Sequence, residues 1–505
     1  MTTRTLRSLA LVSVGCTLAG CAVGPNFVKP KPNVPAQWSA TAVANGSEGA
    51  ARATSAPAQT VGWWSSFDDP TLSSLIEQSA AQNLDLKQAV LRIQEAQAQA
   101  AVVAGGLWPS LSANTSWSRE RLSTNTPNGA IFGLHFPGLP PTLVNPFNEY
   151  QLGLGASWTL DLFGTARRSI EAANAEMQAA VEGEHAALLS MVSDVAATYI
   201  DLRGAQLQRA ILERSLATQR DLLQLTRDRR NAGLTSDLDV ENATAEVGTT
   251  EAQVPLADRQ ITVDINQLSQ LMAKPPEALR AELGTAQPIP PAPPLVPIGL
   301  PSDLARRRPD IREAEANLHA ATAEIGVAVS NYFPQLTLTA AGGYQSEGLS
   351  ALIATASRFA TLGPAIELPI FEGGRLRATV RLQRLKAKEA AVVYAQTVLT
   401  ALNQVEDALA AYGADQARRA SLQMAVTASR EARLLARQRY QSGVASFIDV
   451  LDAERTEEQN ALALAQASTA VSADLVQLYR ALGGGWQSAP VPLAPQTHAP
   501  ATRMR

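Results

Sequence analysis

The chain is poor in the residues that most often announce chemistry. Its 505 residues hold two cysteines, Cys16 and Cys21, and four histidines, His135, His185, His319 and His498. Exported proteins commonly gain stability from disulfides, and nothing beyond residue 21 could form one here, so packing or assembly must hold the fold. The histidines are scattered with no ligand spacing, and no GxSxG, P-loop or HExxH pattern occurs. No metal site, cofactor or catalytic residue is expected, and the chain reads as a non-enzyme. Aromatics are only 5% while hydrophobic residues are 46%, an alanine-rich mixture that suits closely packed helices. Net charge is −4 with no basic patch, which argues against a nucleic-acid partner. Past the first twenty residues no apolar run approaches the roughly 18 residues of a membrane-spanning helix. Any spanning part must be β.

The N-terminus carries the one cysteine with a clear purpose. Arg4 and Arg7 precede an apolar stretch from Leu9 to Leu18, too short to span a bilayer but built like a secretory signal. Ala19 and Gly20 then lead into Cys21, the order at which a lipoprotein signal is cut after a lipid is attached to the thiol. An ordinary thiol or a pair with Cys16 is the alternative, but Cys16 would leave with the signal. Residues 1–20 are thus read as the signal peptide and Cys21 as the lipidated, palmitate-bearing first residue. Ala22 follows where an aspartate would retain the protein in the inner membrane. The destination is the outer membrane.

Internal repetition organises the rest. A shift of 225 lays 310–336 on 85–111, matching Asp85 with Asp310 and Pro109 with Pro334. Shifts of 208 and 210 lay 368–372 on 160–164 and "RYQSGVASFIDV" on "RRNAGLTSDLDV". Three blocks in order make two similar halves. The expected organisation is an extended lipid-anchored segment at 21–62, a first repeat at 63–283, a Pro-rich linker at 284–300, a second repeat at 301–486 and a tail at 487–505.

Each half contains a β-hairpin, at about 110–162 and 335–371. Leu111, Ala113, Thr115 and Trp117 alternate with Ser110, Ser112, Asn114 and Ser116, and Tyr150, Leu152, Leu154, Ala156 and Trp158 alternate with small or polar residues. Leu336, Leu338 and Ala340 form a third stripe, and Leu362, Ile366, Leu368 and Ile370 a weaker fourth. A soluble sandwich and a lipid-facing barrel both fit this alternation. If the strands face lipid, four cannot close alone, because lipid tolerates no open edges. Two copies would fill their barrel with side chains; three leave a lumen lined by small polar residues.

The remainder is helical. From about Thr165 to Asn231 there is no proline, and Leu188, Val192, Val195, Tyr199 and Leu202 repeat at alternating spacings of four and three. Val398, Leu402, Val405, Leu409 and Tyr412 repeat them in the second half, a coiled-coil seam on a rod of roughly 100 Å. Shorter helices are expected at about 236–273 and 446–482 after turns at Gly233 and Gly443, capped by Ser236 and Ser446, with further helices near 71–106 and 301–331.

Taken together, "CAVGPNF", "DLFG", "RRPDIREAEANLHAATAEIGVAVSNYFPQLTL", "LPIFEGGRLRA", "VASFIDVLDAE" and "LYRALGGGW" closely resemble the TolC-like outer-membrane factor lipoproteins of tripartite efflux systems. The resemblance runs from Cys21 to about Trp486. It implies a mainly α fold with β, a homotrimer whose twelve-stranded barrel in the outer membrane continues into a twelve-helix periplasmic tunnel. It also implies partnership with outer-membrane lipid, a periplasmic adaptor and an inner-membrane transporter, of the RND type, and passive export of small molecules in multidrug resistance. Asp449 and Asp452 match acidic positions of the family's periplasmic gate; Tyr440 matches a tyrosine that helps hold some members closed, but Ala445 stands where those members carry its arginine partner, so Phe447 or Ile448 is expected to form an apolar constriction instead. Gly233, Leu234 and Thr235, with Gly443, Val444 and Ala445, match the turns where the adaptor docks. Protein export through such a channel, and a non-conducting envelope lipoprotein, are the rival readings.

Overall fold

In the computed structural model the described residues are 22–31, 34–39, 52–54, 56–58, 61–123, 125–127 and 145–488. Cys21, the signal peptide, His135, His498 and most of the first hairpin's loop lie outside them. The chain forms two compact units, one from residues 1–29, 95–177 and 316–391, the other from 30–94, 178–315 and 392–505.

The first unit holds an antiparallel sheet in the order β2 (Ser110–Glu120), β3 (Phe147–Leu160), β5 (Gln335–Ser346) and β6 (Arg358–Glu367). Register decides what the alternation means. Leu111 faces Ala156, Thr115 faces Leu152 and Trp117 faces Tyr150; Trp158 faces Leu338, and Ala340 faces Leu362. All apolar stripes therefore fall on one continuous face, since pairing partners share a side of the sheet. Ser112, Gly155, Thr159, Thr337 and Thr339 lie on the other, where the Ser112 hydroxyl donates to the Gly155 carbonyl (3.4 Å) and Thr159 meets Thr337 (3.2 Å). Leu368 and Ile370, read as continuing the fourth stripe, lie past the end of β6. Aromatic rows bound the apolar face, Trp117 with Tyr150 at one end and Trp158 at the other. The eight residue steps from Tyr150 to Trp158 span about 26 Å along the strand, near the height of a lipid-facing band. Gly343 sits where an added Cβ would come within 2.1 Å of the Leu152 carbonyl oxygen, so only glycine fits that row.

The N-terminal segment is fastened to the same unit. Val23 N–H donates to the Phe163 carbonyl (3.1 Å), the Arg168 guanidinium reaches Asn26 Oδ1 (2.7 Å), and Phe27 stacks on His319 with ring centroids 4.4 Å apart.

The second unit is built from helices. The long α3 (Thr165–Asn231) and α8 (Arg375–Gln441) each run 67 residues, and α4 (Asp237–Leu271) and α9 (Phe447–Ala481) each run 35. The two seams expected from spacing are buried throughout, from Leu188 to Leu202 and from Val398 to Tyr412. α9 is apolar and long enough to cross a membrane by composition, with mean hydropathy 1.2 over its most apolar stretch. Its Leu475, Val476 and Tyr479 are instead buried against protein. The helices expected as single rods near 71–106 and 301–331 are each broken: α1 (Pro70–Gln82) stops before α2 (Leu84–Gly105), and α6 (Pro301–Arg307) before α7 (Pro309–Ser330). Asn83 makes the first break by turning its Oδ1 to the N–H groups of Asp85 and Leu86, at 2.8 and 3.0 Å. Arg308 makes the second, because the residue before a proline is driven out of the helical region. The Pro-rich linker contributes β4 (Leu295–Pro297), which pairs in parallel with β1 (Arg52–Thr54).

Trp63 centres this unit's core. Fully buried, it stacks on Tyr479 at 4.9 Å and donates its indole N–H to the Gly484 carbonyl (3.1 Å). Trp63→Ala should cost about 3–5 kcal/mol through the cavity it leaves, read as a lowered thermal midpoint of the helical circular dichroism. A second prediction concerns buried acid. Asp264 on α4 is buried with Oδ2 accepting no hydrogen bond, and burial raises its pKa to about 6, helped by the nearby Asp201 charge. The folded chain then holds this proton more tightly than the unfolded one, so its stabilisation is present in acid and lost as pH rises through about 6. Asp264→Asn should raise the thermal midpoint more at pH 8 than at pH 5, and an equal shift at both would contradict the assignment.

Candidate functional site

The ends of the four longest helices come together in the second unit and bring most of the expected site residues with them. α3 closes on a Schellman motif: Gly233, at φ +72°, donates its N–H to Arg230 O (2.9 Å) and Leu234 donates to Arg229 O (2.8 Å). α8 closes the same way, with Gly443 at φ +75° donating to Tyr440 O (3.0 Å) and Val444 to Arg439 O (2.9 Å). The following helices then start on matching capping boxes, Ser236 with Asp239 and Ser446 with Asp449. Thr235 adds a hydroxyl bond to Asp239.

This geometry separates the two expected acids. The Asp449 carboxylate is turned back on its own helix start, accepting from the Ser446 backbone N–H (2.9 Å) and hydroxyl (2.8 Å). Those hydrogen bonds, the hydroxyl's first, pull its pKa below the ordinary value. Asp239 does the same work in the other repeat, so capping is sufficient reason for an acid at 449. Asp452, one turn on, is exposed and takes no part in the cap.

Tyr440 and Phe447 are not exposed at the tip. Both are buried, their rings edge to face at 6.0 Å, inside a small cluster with Leu222, Leu223, Ala243, Val450 and Leu451. The Tyr440 hydroxyl makes no hydrogen bond; its ring carries the Arg229 guanidinium at 4.6 Å, and Arg229 also donates to the Tyr440 carbonyl (3.0 Å). Of the two residues considered for an apolar constriction, Phe447 is therefore occupied in packing within its own chain, whereas Ile448 is 49% exposed.

Spacing alone did not single out three of the groups present. Leu238 is 68% exposed beside Leu234 at 66%, and the 210-residue shift lays this pair on Val444 (65%) and Ile448. Each tip thus presents two large apolar side chains just after a glycine turn, a pattern visible once the halves are aligned. The second is Arg229. The third is Glu454, a carboxylate at a position of the apolar stripe that starts with Val450 and Leu451, and it is buried. Among the described residues, no group of three His, Cys, Asp or Glu side chains is placed to hold a metal.

What the arrangement offers is a set of capped hairpin tips with apolar and acidic side chains at their ends. Comparison with known proteins agrees with that reading. The family model described as outer membrane efflux protein matches residues 75–274 and 300–484. Nodulation protein T of Rhizobium leguminosarum bv. trifolii is 31% identical over 473 residues, 93% of this chain and 95% of that protein. The toluene efflux pump outer membrane protein TtgC of Pseudomonas putida is 32% identical over 496 residues, 96% of each. The solved structure of the outer-membrane channel OprN superposes with a TM-score of 0.82 at 35% identity, over 92% of this chain and all of that one. This chain belongs to the outer membrane efflux protein family and is an outer-membrane efflux channel.

Proposed function

We propose that three copies of the chain close a twelve-stranded barrel and continue it as a helical tunnel, forming the passive outer conduit of a tripartite pump that expels small molecules. The observation that carries this reading is the pair of open edges on the sheet. Among the described residues β2 and β6 each have one partner strand, and a strand edge facing lipid leaves backbone groups without hydrogen bonds. Because the four strands alternate in direction, β6 of one copy meets β2 of the next antiparallel, so identical copies can close a ring. A stripe of exposed Leu385, Val392 and Leu399 on α8 repeats every seven residues, the spacing of a helix seam still awaiting its partner. The small inward residues favour three copies over two, since eight strands would leave no lumen.

In this assembly Cys21 carries the lipid anchor, and the tips of α3–α4 and α8–α9 face the periplasm. Leu234 and Val444, with the glycine turns and Thr235 and Ala445, form the contact for a periplasmic adaptor. Ile448 supplies the apolar part of the closed gate and Asp452 its charge ring. Asp449 holds the helix start from which both project, and Tyr440 and Phe447 hold that start against α3. The relatives named as parts of efflux pumps support an inner-membrane transporter as the third component, which we take to be of the RND type. The chain spends no energy, and no catalytic role is proposed for it.

Cysteines introduced at Ser112 or Asn114 on β2 together with Thr361 or Gly363 on β6 should cross-link detergent-solubilised protein into covalent dimers and trimers. Exclusively monomeric bands across all pairings would refute the ring. In planar bilayers, Asp452→Asn should lower cation preference while leaving the thermal midpoint in place. Asp449→Ala should lower the midpoint by uncapping α9; an unchanged ion selectivity in Asp452→Asn would remove that residue from the gate.

A further inference from the structure

Where β3 gives way to α3, the first unit holds an open cleft of about 280 Å³. Val103 near the end of α2, Leu160, Leu162 and Phe163 at the β3–α3 junction, and Pro334 just before β5 give it an aliphatic and aromatic wall. Phe163 is braced by stacking on Phe333, with ring centroids 4.7 Å apart. For scale, a cavity of roughly 150 Å³ lined by such side chains stays dry and takes up benzene.

The polar residues of the lining already have partners. Asp161 accepts from the backbone N–H groups of Ala166 (3.2 Å) and Arg167 (3.0 Å) and from the Arg167 guanidinium (3.1 Å), which together cap the start of α3 and neutralise the carboxylate. Thr165 donates its hydroxyl to Ser330 (2.8 Å), Ser330 to the Val327 carbonyl (2.7 Å) and Ser169 to the Thr165 carbonyl (2.9 Å), while Thr159 meets Thr337 (3.2 Å). Gln335, the remaining polar side chain, is exposed. No lysine or arginine lines the cleft, and no buried polar side-chain atom of the lining lacks a hydrogen bond. An occupant thus finds no unmatched charge or hydrogen bond there. What the cleft offers is apolar surface, which gains by being covered with hydrocarbon.

The protein's own N-terminal segment arrives at this place. Ala22 packs so closely on the β3–α3 junction that a Cβ added to Gly164 would come within 2.7 Å of Ala22 Cα, and Val23 N–H donates to the carbonyl of Phe163, a wall of the cleft. One turn along α3 the Arg168 guanidinium holds the Val23 carbonyl (3.2 Å) and Asn26 Oδ1 (2.7 Å), fixing the segment's course. Neighbouring Cα atoms are about 3.8 Å apart, so an acyl chain attached to Cys21 starts beside Phe163. Leu160 ends β3 two residues past Trp158; if the sheet spans the membrane as proposed above, the cleft lies at the interfacial depth that tryptophan marks.

We propose that this cleft receives an acyl chain of the lipid on Cys21, so that the anchor is seated on the protein itself as well as in the bilayer. The inference rests on the reading above that Cys21 is lipidated. A phospholipid chain has to be captured from the membrane, whereas the Cys21 chain is tethered at the cleft wall and enters at high effective concentration. Its seat joins the end of α2, the start of α3 and the α7–β5 junction, the three places where helices pass into the sheet.

A photoreactive palmitate analogue tests the seat in the intact channel. Cells expressing the full-length chain are fed a diazirine-bearing palmitate and irradiated, and the purified protein is digested for mass spectrometry. The N-terminal lipopeptide should be found cross-linked to peptides containing Val103, Leu162, Phe163 or Pro334. Val103→Trp fills the cleft and should cut those cross-links several-fold while the helical circular dichroism and the lipid on Cys21 persist; Leu162→Trp does the same from the other wall should the first variant fail to fold. A lipidated N-terminus with no cross-link to these segments, cross-links undiminished in a folded variant, or cleft peptides carrying only fatty acid from free phospholipid overturns the proposal and leaves the anchor in place. An unlipidated Cys21 overturns the anchor reading, and the proposal with it.

Discussion

The obligation to pair backbone groups in lipid governs this molecule. A four-stranded sheet with one continuous apolar face is at home against hydrocarbon, yet β2 and β6 each expose a row of N–H and C=O groups that hydrocarbon cannot solvate. Water-soluble sheets blunt such edges with charge, proline or a covering helix. Here Ser112, Asn114, Ser116, Thr361 and Gly363 line the edge strands inward, and outward Leu111, Ala113, Trp117, Leu362 and Ile366 are apolar, with Pro364 the one proline in β6. The edges are left fit for pairing with another copy. Small inward side chains follow from the same requirement, because a conduit needs its wall thin on the inside; Gly153, Gly155, Gly343 and Gly363 all fall on that face.

Repetition supplies the parts cheaply, and function resides where the repeats differ. Both long helices end on the same Schellman motif and both short ones begin on the same capping box, so the hairpin itself is common property. Against that background the substitutions at equivalent positions stand out. Asp452 aligns with Asn242, Glu454 with Thr244, and Ala465 with Pro255. The first puts an exposed charge at this position in the second repeat, where the first repeat has an amide. The second puts a buried carboxylate where the first repeat has a threonine. The third places a proline inside α4, where it removes one backbone hydrogen bond and leaves the α4 backbone less tightly bonded than its counterpart in α9.

Much of this was legible in the residues. The absence of proline from 165 to 231 and the four-three spacing of Leu188 through Leu202 locate α3, because a helix of that length needs little beyond an uninterrupted pattern and a seam to bury. Strand faces were legible for the same reason, period two being robust to which strand pairs with which. The breaks at Asn83 and Arg308 are local events set by a side-chain cap and by the steric demand of Pro309, which compete with a helical pattern running straight through them. Their signals, an asparagine two residues before an aspartate and an Arg-Pro pair, are short. The site was legible in position and less so in role. Spacing places Tyr440, Phe447, Asp449 and Asp452 at one hairpin, but which of them turns inward depends on the neighbouring helix. Leu222 and Leu223, more than two hundred residues away, are what bury Tyr440 and Phe447. Glu454 is the converse case, since a charged residue in an apolar stripe ordinarily reads as surface until its neighbours are known.

The distribution of core bears on the opening proposed for the tips. The main cluster joins Trp63, Tyr199, Tyr412, Tyr479 and many aliphatic side chains into one body, whereas the tip cluster is a handful of residues around Tyr440 and Phe447. Local opening free energy falls where buried apolar contacts are few. Beside that thin cluster sit an orphaned tyrosine hydroxyl and an orphaned glutamate, both of which would gain hydrogen bonds on meeting water. Separation of the hairpins at this end thus forfeits little packing and recovers solvation for polar groups, while the same separation near Trp63 would expose a large aromatic core. In the proposed assembly a partner that binds the tips needs to supply only the small difference.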